Sequence, residues 1–180
     1  MVVPIKEILE RNIITNRDFG DGEGLVEPEG AAIDIRIGAV WEMDEDSKGF
    51  LGKVSRETRK YKKVAEFVPG KSTKFQLMPD RFYQLQSVEG FDVPVDLVGR
   101  FVARYNLLMN GVLILAYKVD PGFQGVFSAP TKNVTSVPFE IELGARFAQF
   151  EFHRIDGEGV KYRGQWRDGR VFTEKEEVQV

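Results

Sequence analysis

The chain has 180 residues, 42% of them hydrophobic, 29% charged and 12% aromatic, and its 25 basic against 28 acidic residues give a net charge of -3. A chain of this length fits one domain, expected over residues 1–180, and buries roughly 70% of the surface its unfolded form exposes, so it needs no covalent staples. The charge balance argues against a polyanion-binding surface and hence against a nucleic-acid partner, the lack of cysteine excludes disulfides, thiol catalysis and thiolate zinc sites, and a single histidine, His153, argues against His-rich metal centres.

The opening Met1-Val2-Val3-Pro4-Ile5-Lys6-Glu7 has neither the basic start nor the long apolar run of a secretory signal. The longest apolar stretch, residues 107–117, is about half a bilayer span and is interrupted by Asn110 and Gly111. A cytoplasmic location with no membrane partner is therefore expected. Ile5, Ile8 and Leu9 recur at i, i+3 and i+4 after Pro4, which a first helical turn tolerates, and predict one short N-terminal helix. Residues 16–30 are glycine-dense and read as a loop; their acidic residues suggest calcium, but the spacing departs from an EF-hand loop.

Ala31-Ala32-Ile33-Asp34-Ile35-Arg36-Ile37-Gly38 alternates, which places the three isoleucines on one face of a strand and Asp34 and Arg36 on the other. Residues 44–74 form a charged insertion whose basic cluster is Arg56, Arg59, Lys60, Lys62 and Lys63, either a solvated excursion or exposed hairpin, or a phosphate- or partner-contacting loop. Short segments bounded by turn residues follow at 75–78, 81–86, 97–105, 112–119, 136–143 and 147–155, with Pro138 suited to a strand start or an edge. Strands at this spacing predict an all-β sandwich or barrel rather than a βαβ nucleotide-binding fold.

Five strings, ordered along the chain, resemble the dCTP deaminase and trimeric dUTPase superfamily, and its deaminase branch in particular. The strand string at 31–38 looks like the family's first motif. Gly99-Arg100-Phe101-Val102-Ala103-Arg104 resembles its phosphate-binding turn, and Val119-Asp120-Pro121-Gly122-Phe123-Gln124-Gly125, followed by Asn133, its Asp-Pro-Gly motif. Gly144-Ala145-Arg146-Phe147-Ala148-Gln149-Phe150-Glu151-Phe152 is similar to its late strand, and Lys161-Tyr162-Arg163-Gly164-Gln165 to the tail that closes over the nucleotide. The resemblance implies a dUTPase-like distorted jelly roll, or β-clip barrel, assembled as a homotrimer with nucleotide sites between neighbouring subunits. It implies a pyrimidine deoxynucleoside triphosphate as ligand, with Mg2+ carried on the triphosphate and no protein-held zinc. Carried over position by position, the nucleotide-binding residues are Arg100, Arg104, Asp120, Gln149, Lys161, Tyr162 and Gln165; Gln149 acts mainly as structural support.

Two breaks in the resemblance bear on chemistry. Deaminating cytosine needs a positioned acid/base, which the deaminases supply as a Glu three residues before the Asn; here that position is Pro130, and no carboxylate lies between Gly125 and Asn133. Phe101 and Val102 stand where the phosphate-binding turn has serines, and its two arginines match Arg100 and Arg104 only with one residue dropped. Each lost hydroxyl costs roughly 0.5–1.5 kcal/mol of triphosphate binding. Asp120 matches the aspartate that orients the attacking water in dUTPases, so an altered hydrolysis stays open beside two other readings: Asp120 as a turn residue only, and the chain as a catalytically inactive trimeric binding or structural protein. Asp34 is expected to pair with a base such as Arg146, His153 to be structural, and Trp166 is a candidate anchor between subunits.

Overall fold

A computed structural model describes residues 1–16, 30–115 and 117–179, so the loop expected at 16–30 lies, but for its end residues, outside the described residues. The elements run α1 (Ile5–Glu10), β1 (Ile14–Thr15), β2 (Ile33–Met43), β3 (Phe50–Leu51), β4 (Ser55–Glu57), β5 (Tyr61–Glu66), β6 (Lys74–Leu77) and β7 (Phe82–Asp92). They continue with β8 (Leu97–Ala103), α2 (Tyr105–Met109), β9 (Val112–Ile114), β10 (Lys118–Val119), β11 (Gln124–Asn133), β12 (Phe139–Glu142), β13 (Arg146–Arg154) and β14 (Glu177–Val178). The layout is all-β, as expected.

One antiparallel sheet in the order β10-β8-β13-β2-β7-β11-β9 organises the fold, with β1 added to β7 and β5 to β2. The start of β2 pairs with β13, and its second half pairs with β7 after a slip in register between Ile37 and Ala39. That irregularity bends the strand, so a single strand serves two halves of the sheet and the sheet curls around its core. Phenylalanine rings fill the concave side: Phe91 stacks on Phe150 at 4.4 Å between centroids and Phe101 on Phe127 at 4.7 Å, with Phe147 and Phe152 packed beside them. All six rings are buried. Phe101, which the sequence comparison sets in the phosphate-binding turn, is thus a core residue of β8.

Three features depart from the sequence reading, and a fourth sharpens it. A second helix, α2, is present where only α1 was expected; five residues are too few for a 3.6-residue period to repeat. The strand β11 was read only as a motif, because it carries Gly125 and Pro130, which weaken any strand pattern. The stretch expected as one strand at 112–119 is divided into β9 and β10. In the charged insertion β3 and β4 form the exposed hairpin that was one of the expected forms, β5 joins β2, and β4 also pairs with β14 at the end of the chain.

Pro130 is tolerated in a long strand for a definite reason. The β11–β9 register sets Thr131 against Ile114 and so Pro130 against Leu115, where the Leu115 N–H donates to the Pro130 carbonyl at 2.9 Å. The reciprocal bond has no donor, and it falls where the β9 ladder is already ending.

The polar face of β2 is not solvated throughout. Arg36 is 4% exposed and Glu89 on β7 is fully buried, and the two meet at 2.7 Å while Glu89 also accepts the Arg36 backbone N–H at 2.8 Å. Asp34 pairs with Arg146 at 3.0 Å, as expected, and lies 2.6 Å from Arg104 in an ion pair that lacks hydrogen-bond alignment.

Candidate functional site

The turn between β10 and β11 gives the site its floor. Pro121 occupies the second position of a turn closed by Phe123 N–H to the Asp120 carbonyl at 3.1 Å, and Gly122 supplies the φ of +76° that the third position requires. Asp120 leads this turn and is paired with Lys118. The C-terminal tail lies directly on it: Tyr162 N–H donates to the Pro121 carbonyl at 2.6 Å and Asp168 N–H to the Gln124 carbonyl at 3.3 Å. A Cβ on Gly122 would come within 2.5 Å of Lys161 Cγ, and one on Gly125 within 2.6 Å of the Asp168 nitrogen. Both glycines therefore serve the tail as well as the turn. Gly122→Ala is expected to cost about 1–2 kcal/mol from its positive φ and to lift the tail, read as faster limited proteolysis beyond residue 155 with the core intact.

Between this floor, the insertion and the tail lies a cavity of about 590 Å³, a size suited to a small-molecule ligand. Its sheet side is formed by Gln84, Tyr117, Asp120, Phe127, Ser128 and Pro130, its insertion side by Thr58, Arg59 and Tyr61, and its tail side by Tyr162, Trp166, Arg170 and Val171. Asp120 is the single carboxylate among the lining residues. Tyr117 donates its hydroxyl to the Ser128 carbonyl at 2.5 Å and stacks on Phe127 at 4.6 Å. Protein surrounds the Tyr117 phenol on most sides although 45% of the residue stays open to the cavity, and this burial, with Tyr162 nearby, pushes its pKa well up. Burial likewise raises Tyr61, against the pull of its hydrogen bond with Gln84. Both phenols stay protonated near neutral pH, so neither is poised as a base.

A second hollow of about 500 Å³ adjoins the first across Tyr117 and Lys118 and is bounded by Val98, Arg100 and His153. Arg100 is mostly exposed and 3.7 Å from Glu151, which also takes a contact from His153 at 3.1 Å.

Of the residues picked out in the sequence, Asp120 and Tyr162 line the cavity and Arg100 lines the adjoining hollow. Lys161 sits against Gly122, and the Gln165 amide oxygen accepts from Arg56 at 2.8 Å on the tail's outer side. Arg104 and Gln149 line neither hollow: Arg104 is engaged by Asp34, and Gln149 stands opposite Asp34 and Val102 in the ladders. Among the lining residues, Arg59 comes from the basic cluster noted in the sequence, whereas Thr58, Tyr61, Gln84, Tyr117 and Arg170 are ones that sequence reasoning passed over. Only Tyr117 had a signal, its place just before the Asp-Pro-Gly turn. Trp166, a candidate subunit anchor, has within its own chain Arg56 at 4.7 Å from the ring centroid and Arg170 at 5.4 Å. Asn133, the marker used to locate Pro130, is fully buried and spends both amide groups on the 133–137 turn and the Leu77 carbonyl. Among the described residues, no group of three or more His, Asp or Glu is placed to hold a metal ion.

A family model described as dCTP deaminase-like matches residues 5–155. A "dCTP deaminase, dUMP-forming" of Dictyoglomus thermophilum is 25% identical over 154 residues, covering 84% of this chain and 77% of that protein. A dCTP deaminase of Pyrococcus furiosus is 30% identical over 98 residues, 54% of this chain and 63% of that protein. Among solved structures, the 2'-deoxycytidine 5'-triphosphate deaminase from Agrobacterium tumefaciens superposes with a TM-score of 0.59 at 14% identity, over 84% of this chain and 47% of that one. The chain thus spans about half the length of that structure, and at this identity the likeness speaks for the fold alone.

Proposed function

The chain belongs to the dCTP deaminase-like family, and from that premise we propose that it binds a pyrimidine deoxynucleoside triphosphate in the cavity above the Asp120 turn and does not deaminate it. The observation that carries this reading is the cavity wall itself: Pro130 lines it where the deaminases hold their acid/base, and the lining offers no carboxylate except Asp120. The aromatic lining suits a base and sugar, and Arg100 and Lys118 of the adjoining hollow suit the phosphates. Mg2+ arrives on the triphosphate as part of the ligand.

Asp120 favours a second reading, hydrolysis of the nucleotide, because it is the one group of the lining able to hold a water by its carboxylate. A homotrimer in the cytoplasm is proposed with it; the exposed apolar residues Tyr105, Met109, Leu113 and Leu115 around α2 and β9 support a subunit contact. The test is to incubate the protein with Mg2+ and either dCTP or dUTP, following thermal shift and resolving products. Stabilisation by nucleotide with no ammonia from dCTP is expected, and ammonia release overturns the reading. Pyrophosphate and dUMP from dUTP, lost in Asp120→Asn, establish hydrolysis; no shift with any pyrimidine nucleotide leaves the fold with another ligand.

A further inference from the structure

We infer that Arg59, carried by the charged insertion, is a phosphate ligand whose guanidinium meets the polyphosphate of the bound nucleotide. The inference rests on the nucleotide-binding reading for the identity of the ligand, and it adds a residue that lies in none of the matched strings. It concerns one wall of the cavity and holds whichever chain supplies the others.

The arginine and lysine side chains around the two hollows are Arg59, Arg100, Lys118 and Arg170. Three of them already face a carboxylate: Arg100 lies 3.7 Å from Glu151, Lys118 is paired with Asp120, and Arg170 meets Glu177 at 2.5 Å. Arg59 is the exception, since it forms no ion pair among the described residues. The matched phosphate turn leaves room for such a residue. Phe101 and Val102 bring no hydroxyl, and Arg104 is engaged by Asp34 outside both hollows.

The chain fixes Arg59 without neutralising it. Residues 44–47 form a turn in which the Asp44 carboxylate accepts the Asp46 N–H at 3.1 Å and the Ser47 hydroxyl donates to the Asp44 carbonyl at 2.5 Å. That turn aims two carbonyls at one nitrogen of the guanidinium: Nη1 donates to the Glu45 carbonyl at 2.9 Å and to the Ser47 carbonyl at 2.5 Å. Next to it, the Lys60 N–H donates to the Ser47 hydroxyl at 2.9 Å and the Asp44 N–H to the Lys60 carbonyl at 2.9 Å, which holds the backbone in place. Gly49 lies against the stem, where a Cβ would stand 3.3 Å from Arg59 Cγ. With Nη1 spent, the edge made by Nε and Nη2 has no hydrogen-bond partner among the described residues, and that edge is a fork able to grip a phosphate by two parallel bonds. Carbonyl oxygens orient a guanidinium but carry no net charge to cancel it. The positive charge is therefore left to the cavity wall, where it pulls the Tyr61 phenol back down against the burial that raises it, after the hydrogen bond with Gln84. A side chain held at stem and head has little freedom left to lose on binding, which favours it over a loose surface cation.

The test measures equilibrium binding of dUTP and of inorganic tripolyphosphate, both with Mg2+, to the wild type, Arg59→Gln and Arg59→Lys. Loss of a charged hydrogen-bonding partner is expected to weaken both ligands roughly 10- to 100-fold in Arg59→Gln. Arg59→Lys keeps the charge without the fork and is expected to fall between the two, which preserves the comparison where Gln loosens the 44–47 turn. The wild-type advantage over Arg59→Gln is also expected to shrink as salt rises from about 0.05 to about 0.5 M, because salt screens an ion contact and not a turn fastening. Equal dUTP affinity in wild type and Arg59→Gln overturns the assignment, and so does an advantage that salt leaves unchanged, which reduces Arg59 to a fastening of the turn. Tripolyphosphate binding that needs Arg59, with no nucleotide bound, sinks the nucleotide reading and keeps the phosphate ligand; nucleotide binding indifferent to Arg59 does the reverse. A wild type that binds neither ligand ends both.

Discussion

Pro130→Glu is expected to release ammonia from dCTP at least about 10²-fold faster than the wild-type chain, because positioned proton transfer contributes 10²–10⁴-fold and the wild-type wall has no carboxyl at that place. The exchange does not threaten the strand. Glutamate restores the N–H that proline lacks, opposite Leu115, where the β11–β9 ladder has only one of its two bonds. One gained backbone bond contributes about 0.5–1.5 kcal/mol, so the variant is expected to fold at least as well as the parent. The new carboxyl would stand in the wall with Gln84, Ser128 and the two protonated tyrosines, Tyr61 and Tyr117. Pro130→Gln is the matched control, since it repairs the backbone and adds a polar amide but carries no titrating proton. The assay belongs at saturating dCTP. Equal silence from the Glu and Gln variants would mean that something other than the missing carboxylate separates this chain from the deaminases.

Glu89→Ala is expected to cost about 3–5 kcal/mol and to lower the melting temperature accordingly, since it strips the carboxylate from a guanidinium buried at the centre of the sheet. Replacing both partners by apolar residues, as in Arg36→Met with Glu89→Leu, is expected to recover most of that loss, because an empty pair leaves no charge without its counterion. Burial raises the Glu89 carboxyl, against the backbone and side-chain bonds from Arg36. A native value above the unfolded one means that this group supports folding most fully below about pH 4.3 and progressively less as the pH rises through its native value. The lead of the wild type over Glu89→Gln should accordingly narrow from acid toward neutral pH, measured as the difference in denaturant midpoint. A lead that widens instead would place the Arg36 attraction above the burial penalty.

The strands that alternate cleanly were legible before any coordinates. Ile33, Ile35 and Ile37 fall inside as their spacing requires, and Asp34 finds Arg146 across the β2–β13 ladder. The short helix after Pro4 was legible for the same reason, a local period that needs no partner. Phe101 shows the limit: by alignment it is a position in a phosphate-binding turn, and in space it is a ring stacked on Phe127. The site was legible only where it follows a motif. Asp120 and Tyr162 sit in matched strings, whereas Thr58, Tyr61 and Arg170 do not, and nothing in a run of charged residues says that it folds onto a tail more than 100 positions later.

The sequence by itself determined the all-β class, the family and the absence of a proton carrier at position 130, because each depends on residue identity or on a period shorter than one element. Only the tertiary structure decided that Arg36 is buried against Glu89, that Trp166 meets Arg56 and Arg170 of its own chain, and that the insertion forms a wall of the cavity. Those outcomes depend on which distant surfaces meet, and the free energy that selects them comes from burial and pairing across the fold, which no local pattern encodes.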